Sequence, residues 1–189
     1  MAEFNLRAEP FLGGFSHDYG GAMVEEVTDL SLISIAQPLN GRAALAKAVQ
    51  SGLGCTLPAP GSSAVAENGD LRLLCLGMDS FLVINSGGMS YDRLAAKLDG
   101  AGYTTDQSDN WVALELSGTL AYAILERLCP IDLHPDVFPI GAFARTSIEH
   151  LNSIVLRQRE DRFLLLCASS SATSFLHALT GSAVLIGLK

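Results

Sequence analysis

The sequence predicts an α+β fold made of two ferredoxin-like lobes that arose by internal duplication. Three observations predict it. A pattern of strand, helix, loop, two strands and helix occurs twice along the chain. Leu39-Asn-Gly41 in the first copy matches Leu116-Ser-Gly118 in the second. Leu74 and the run Asp79-Ser-Phe-Leu82 match Leu156 and Asp161-Arg-Phe-Leu164 at similar offsets. Two helices on one face of a mainly antiparallel sheet, in this order, make the split β-α-β arrangement. Each copy has fewer than about ninety residues, a marginal size for a fold on its own, so a shared core is expected.

Residues 1–29 lack both helical and strand periodicity and read as an arm. Gly13-Gly14 and Gly20-Gly21 punctuate it, and Phe4, Phe11, Phe15 and Tyr19 need burial, against this chain or a neighbouring subunit. The first lobe is expected over residues 30–102. A strand over 30–39 turns at Asn40-Gly41 into a helix over 42–51, with Leu45, Ala48 and Val49 on one face. A Pro/Gly/Ser loop fills 55–68. Strands over 71–76 and 80–85 flank Gly77-Met78-Asp79, a hairpin signal. A helix over 90–98 places Tyr91, Leu94, Ala95 and Leu98 at i, i+3, i+4 and i+7.

The second lobe is expected over residues 103–189. A strand over 111–116 turns at Ser117-Gly118 into a helix over 119–128. An additional strand over 142–149, without a counterpart in the first copy, precedes a hairpin of 154–158 and 162–168. The last helix, over 171–179, starts at a serine run suited to N-capping, and Gly181 reads as its C-cap.

Between the third helix and the additional strand lies the segment 129–141, with three of the seven prolines. Proline fixes φ and removes a donor, so this is neither helix interior nor central strand. Yet Ile131, Leu133, Val137, Phe138 and Ile140 make it apolar. Such a segment rests on its own core, between the lobes, or on another protein.

Composition narrows the function. Hydrophobic residues make up 49% and charged residues 17%, below the roughly 25% usual for soluble domains. A partner covering part of the surface accounts for this, as does an ordinary Ala/Leu-rich domain. A net charge of −8 without a basic cluster excludes nucleic-acid binding, which needs a basic face. No apolar run reaches a membrane-spanning length and the start resembles no signal peptide, so a cytoplasmic protein is expected. Cys55, Cys75, Cys129 and Cys167 are too widely spaced for a zinc site and read as small hydrophobes.

Candidate chemistry is sparse. Asp132, His134 and Asp136 alternate, so an extended chain would put them on one face for a divalent metal or a general base. The plainer reading is turn chemistry for the aspartates and a solvent or interface contact for His134. His17 beside Asp18, and His150 after Glu149, have no partner identifiable from sequence. Gly41 and Gly118 precede helices without a phosphate-binding motif, and no hydrolase elbow occurs. No catalytic, cofactor-binding or metal-ligating residue is assigned.

The residues resemble a known family. Leu116-Ser-Gly118, Leu128-Cys129, Pro130 to His134, Phe138-Pro-Ile-Gly141 and Ala144-Arg-Thr146 are similar, in this order, to the gamma subunit of heterotetrameric sarcosine oxidase. Leu76-Gly-Met-Asp79-Ser-Phe-Leu82 resembles a family element in which proline stands at Met78 and tryptophan at Phe81. Gln37 to Arg42 fits as well. The likeness spans about residues 30–179 and leaves out the arm. It implies a fold like the folate-binding aminomethyltransferase domain of the glycine-cleavage T protein. It implies a structural subunit without its own active site, partnered by alpha, beta and delta subunits. The complex would oxidatively demethylate sarcosine to glycine with tetrahydrofolate as one-carbon acceptor. FAD, FMN, NAD, tetrahydrofolate and zinc would then sit on the partners, and none on this chain. Gly69-Asp70-Leu71 and Leu82 to Asn85 resemble the pattern around the aminomethyltransferase catalytic aspartate. By that likeness Asp70 is either a relic or the acid–base group of an autonomous folate-dependent one-carbon transferase.

Overall fold

The computed structural model describes residues 9–187, so Phe4 of the expected arm lies outside the described residues. In chain order the elements are β1 (Ser16–Asp18), β2 (Met23–Glu26), β3 (Ser31–Ala36), α1 (Arg42–Ala48), β4 (Ser63–Val65), β5 (Leu71–Cys75) and β6 (Ser80–Asn85). There follow α2 (Tyr91–Lys97), β7 (Tyr103–Asp106), β8 (Trp111–Ser117), α3 (Ala121–Leu125), β9 (Phe143–Ile148), β10 (Leu151–Arg159), β11 (Arg162–Ala168) and α4 (Ala172–Leu185). A π-helical turn, Val49–Leu53, continues α1.

The strands form two antiparallel sheets. One has the order β4-β5-β6-β3-β7, the other β1-β2-β8-β11-β10-β9. Within the first, β3, β5, β6 and β7 with α1 and α2 reproduce the split β-α-β order. In the second, β8, β10 and β11 with α3 and α4 repeat it, but the fourth strand comes from the other end of the chain. β2 takes the place beside β8 that β7 takes beside β3.

The arm is therefore corrected to two strands of the second sheet. Residues 23–26 read MVEE, too short and too acidic to show a period, yet Val24 is fully buried and pairs with Leu116. Tyr103–Asp106, counted with the second lobe, is an edge strand of the first sheet. The additional strand β9 also has a counterpart, β4, inside the Pro/Gly/Ser loop.

Strand alternation builds the core. Leu71, Leu73 and Cys75, with Phe81 and Val83, face α1 and α2. Val112, Leu114, Leu116, Phe163 and Leu165 face α3 and α4. The opposite rows, among them Leu74, Leu82, Leu156 and Leu164, meet between the sheets. The result is four layers, helix, sheet, sheet, helix, and the two lobes share one inter-sheet core.

Two helix ends differ from expectation. α4 runs through Gly181 to Leu185 and Ser171 makes no side-chain cap hydrogen bond. Burial of Phe175, Leu179 and Ala183 against the second sheet carries the helix past a poor helix former. α3 is short: Cys129 N–H already returns to Leu125 O, and Pro130 follows. Gly118, at φ +111, starts this region where a Cβ would meet the Gly21 carbonyl oxygen at 2.6 Å. The arm's Gly21-Ala22 thus packs on the turn of the second lobe.

Candidate functional site

The proline segment resolves into two faces. Cys129, Leu133 and Phe138 are buried in the core of the second lobe, on the helix side of its sheet and not between the lobes. Val137 and Ile140 point outward and are exposed. The carbonyl of His134 accepts from the N–H groups of Val137 and Phe138 at 2.9 and 2.8 Å, a turn. Asp132 Oδ1 accepts from His134 N–H at 2.8 Å. His134 Nδ1 lies 3.6 Å from Asp136 Oδ2, both exposed. Among the described residues no three His, Cys, Asp or Glu side chains form a group able to hold a metal ion. The trio is turn chemistry in this geometry.

His17 stacks edge-on against Tyr19, ring centroids 4.4 Å apart. Glu149 and His150 form the β9–β10 turn, both with positive φ. Neither histidine meets Asp70 or the trio around His134.

Asp70 lies elsewhere, at the mouth of a cleft of about 310 Å³ between the sheets. The cleft arises because each inter-sheet row is apolar in its middle and polar at one end. Arg72 ends the row of Leu74. Glu115 ends the row of Ala113, Gln158 that of Leu156, and Arg162 that of Leu164. Arg162 Nη1 lies 3.1 Å from Glu115 Oε1, and the Glu115 side chain is largely buried. Burial raises the Glu115 pKa, Arg162 lowers it, Glu25 raises it and Arg159 lowers it. Glu25 stands directly opposite Glu115 in the β2–β8 register, an unfavourable like-charge pair. Asp70 is exposed and its Oδ2 accepts from Asn68 Nδ2 at 3.1 Å. Its carbonyl accepts from Ser86 N–H at 2.9 Å, which fixes the start of the β5–β6 hairpin.

Sequence reading placed Asp70 without its neighbours. Arg72 lies on the first sheet and Glu115, Arg159 and Arg162 on the second, so the face-to-face packing of the two sheets brings them together. Polar residues at alternating positions in apolar strands were the available signal.

A different surface lies at the far tip of the first sheet. Leu39 is 93% exposed, Met78 77% and Tyr103 71%. They share one end because Ala36 pairs with both Ser80 and Tyr103, and Gln37 N–H donates to Asp79 O at 2.8 Å. Beside them Gln37 Oε1 is buried with no hydrogen-bond partner among the described residues. No helix among the described residues is long and apolar enough to cross a membrane.

Known proteins carry the same arrangement. The model of the sarcosine oxidase, gamma subunit family matches residues 40–184. The sarcosine oxidase subunit gamma of Corynebacterium sp. (strain P-1) is 33% identical over 141 residues, 74% of this chain and 68% of that one. That of an Arthrobacter species is 34% identical over 128 residues, 67% and 61% of the two chains. In the heterotetrameric sarcosine oxidase from Corynebacterium sp. U-96, a chain superposes with a TM-score of 0.76 at 28% identity, covering 89% of this chain and 86% of that one. Aminomethyltransferase T of the glycine cleavage system from Bartonella henselae shares the fold, with a TM-score of 0.64 at 17% identity over 85% of this chain and 46% of that one. With the family's motifs now placed on β8 to β11 and the match extending over most of the chain, this protein belongs to the sarcosine oxidase gamma subunit family.

Proposed function

We propose that the chain is a non-catalytic structural subunit of a heterotetrameric sarcosine oxidase that demethylates sarcosine to glycine with tetrahydrofolate as one-carbon acceptor. Its partners would be the alpha, beta and delta subunits, and FAD, FMN, NAD, tetrahydrofolate and zinc would sit on them. The observation that carries this reading is the apolar tip of Leu39, Met78 and Tyr103. Three large apolar side chains in water, beside a buried acceptor at Gln37 that has no donor among the described residues, fit a surface that a partner completes. The test is co-expression with the alpha and beta subunits of a heterotetrameric sarcosine oxidase followed by affinity capture. Co-elution in a fixed ratio is expected. A well-behaved monomer that ignores those subunits refutes the reading.

Asp70 in the inter-sheet cleft favours a second reading, an autonomous folate-dependent one-carbon transferase. Calorimetry of the isolated chain with tetrahydrofolate decides it. Heat that disappears in Asp70→Asn supports it, and no heat at millimolar ligand eliminates it.

A further inference from the structure

The inter-sheet cleft contains a cation, Arg72, that makes no ion pair with a carboxylate among the described residues. Arg72 is half-buried, and burial lowers its pKa by desolvating the charged form. Its Nη1 donates to Ser63 Oγ at 3.0 Å. That hydroxyl donates its own proton to the Gly141 carbonyl at 2.6 Å, so strand β4 and the end of the proline segment hold the guanidinium in place. Among the described residues the ion pairs are Arg162–Glu115 and His134–Asp136, and Arg72 has none. Its other N–H groups have no protein acceptor within hydrogen-bonding distance there, and none of them is sealed from solvent. Solvent-facing N–H groups on a half-buried guanidinium that makes no ion pair remain open to a bidentate anion.

The rest of the lining indicates which anion. Arg72, Arg159 and Arg162 stand against Asp70 and Glu115, an excess of one positive charge. Arg162 pairs with Glu115 and Arg159 acts on Glu115 through space, which leaves Arg72 as the lining cation without an ion pair among the described residues. A planar guanidinium matches a carboxylate bidentately. Leu30, Val65, Ile84 and Leu156 provide an apolar wall beside these charges. We infer that the cleft between the two sheets is a binding site for a small organic monocarboxylate, with Arg72 anchoring the carboxylate and the apolar wall receiving the carbon chain. An anion bound there needs no partner subunit.

The test is a titration of the full-length chain with butyrate at constant ionic strength, following the arginine Nε–Hε resonances and Tm. A saturable low-millimolar response with a rise in Tm is expected, with inorganic phosphate and chloride far weaker. Arg72→Gln abolishes the response. Arg159→Gln, at an exposed position, weakens it severalfold and keeps the test decisive if Arg72→Gln does not fold. No saturable response, an equal response to phosphate, or an unchanged response in the folded Arg72→Gln or Arg159→Gln variant overturns the site.

Discussion

Arg157 Nη1 donates to the Phe138 carbonyl at 3.0 Å, joining the inner strand β10 to the proline segment. Arg157 is 3% exposed, and its Nη2 and Nε donate to the carbonyls of Glu160 and Arg159 at 2.6 and 3.3 Å. The guanidinium also lies 5.6 Å from the Phe163 ring centroid. The charge is thus satisfied by backbone dipoles and an aromatic face, and it closes the β10–β11 turn around the buried Phe138.

Replacing Arg157 by Met leaves those carbonyls without donors while keeping most of the side-chain volume. A loss of about 2–4 kcal/mol in urea unfolding is expected. Arg159→Met, on the exposed face, is the control and stays within about 0.5 kcal/mol.

Gly52 sits in the π-helical turn where a Cβ would run into the Lys97 carbonyl oxygen, while Lys97 Nζ donates to Gly52 O at 3.1 Å. The obstacle is backbone, which cannot swing aside. Gly52→Ala therefore costs about 1–3 kcal/mol by forcing the turn away from α2. Gly181→Ala, inside α4 with nothing near its Cβ position, is expected to stabilise by up to about 1 kcal/mol. Thermal unfolding of the two variants should move in opposite directions.

Glu115 gives the stability a pH dependence. Burial, the largest effect, raises its folded-state pKa above the usual 4.5, so the folded protein holds this proton more tightly than the unfolded chain does. The resulting contribution is complete below about 4.5 and is lost as pH rises through the folded-state value. Glu115→Gln should flatten the stability profile across that window. A wild-type profile with the same slope as the variant would count against this assignment.

The four cysteines are buried, and burial raises the pKa of each thiol. Low thiolate content and poor access act in the same direction. Iodoacetamide at pH 8 should leave Cys55, Cys75, Cys129 and Cys167 unmodified in the native protein and alkylate all four in urea, as read by mass spectrometry.

The tip makes a separate prediction. Met78→Glu and Leu39→Glu place charge on side chains that contribute little to the core, so Tm of the isolated chain should change by no more than about 2 °C. Co-elution with the flavoprotein subunits should fall sharply in the double variant. Unaltered assembly would move the contact surface elsewhere.

Much of the fold was legible in the sequence because strand and helix periods survive wherever one face is buried. The hairpin at Gly77-Met78-Asp79 and the strands 80–85 and 162–168 follow from alternation and turn residues alone. The short strands β1, β2, β4 and β7 did not show, because three or four residues carry too little alternation. The residues of the cleft were individually visible as polar breaks in apolar strands, but nothing local links Arg72 to Arg162.

The sequence by itself determined the duplication, the α+β class and the family, because these rest on local patterns and ordered motifs. Only the tertiary structure decided that β2 completes the second sheet, that the proline segment turns Phe138 inward and Ile140 outward, and that Arg72 shares a cleft with Glu115. The physical reason is the same in all three cases. All three are contacts between distant parts of the chain, set by strand pairing for β2, by packing in the helix-side core for Phe138 and by the face-to-face packing of the two sheets for Arg72.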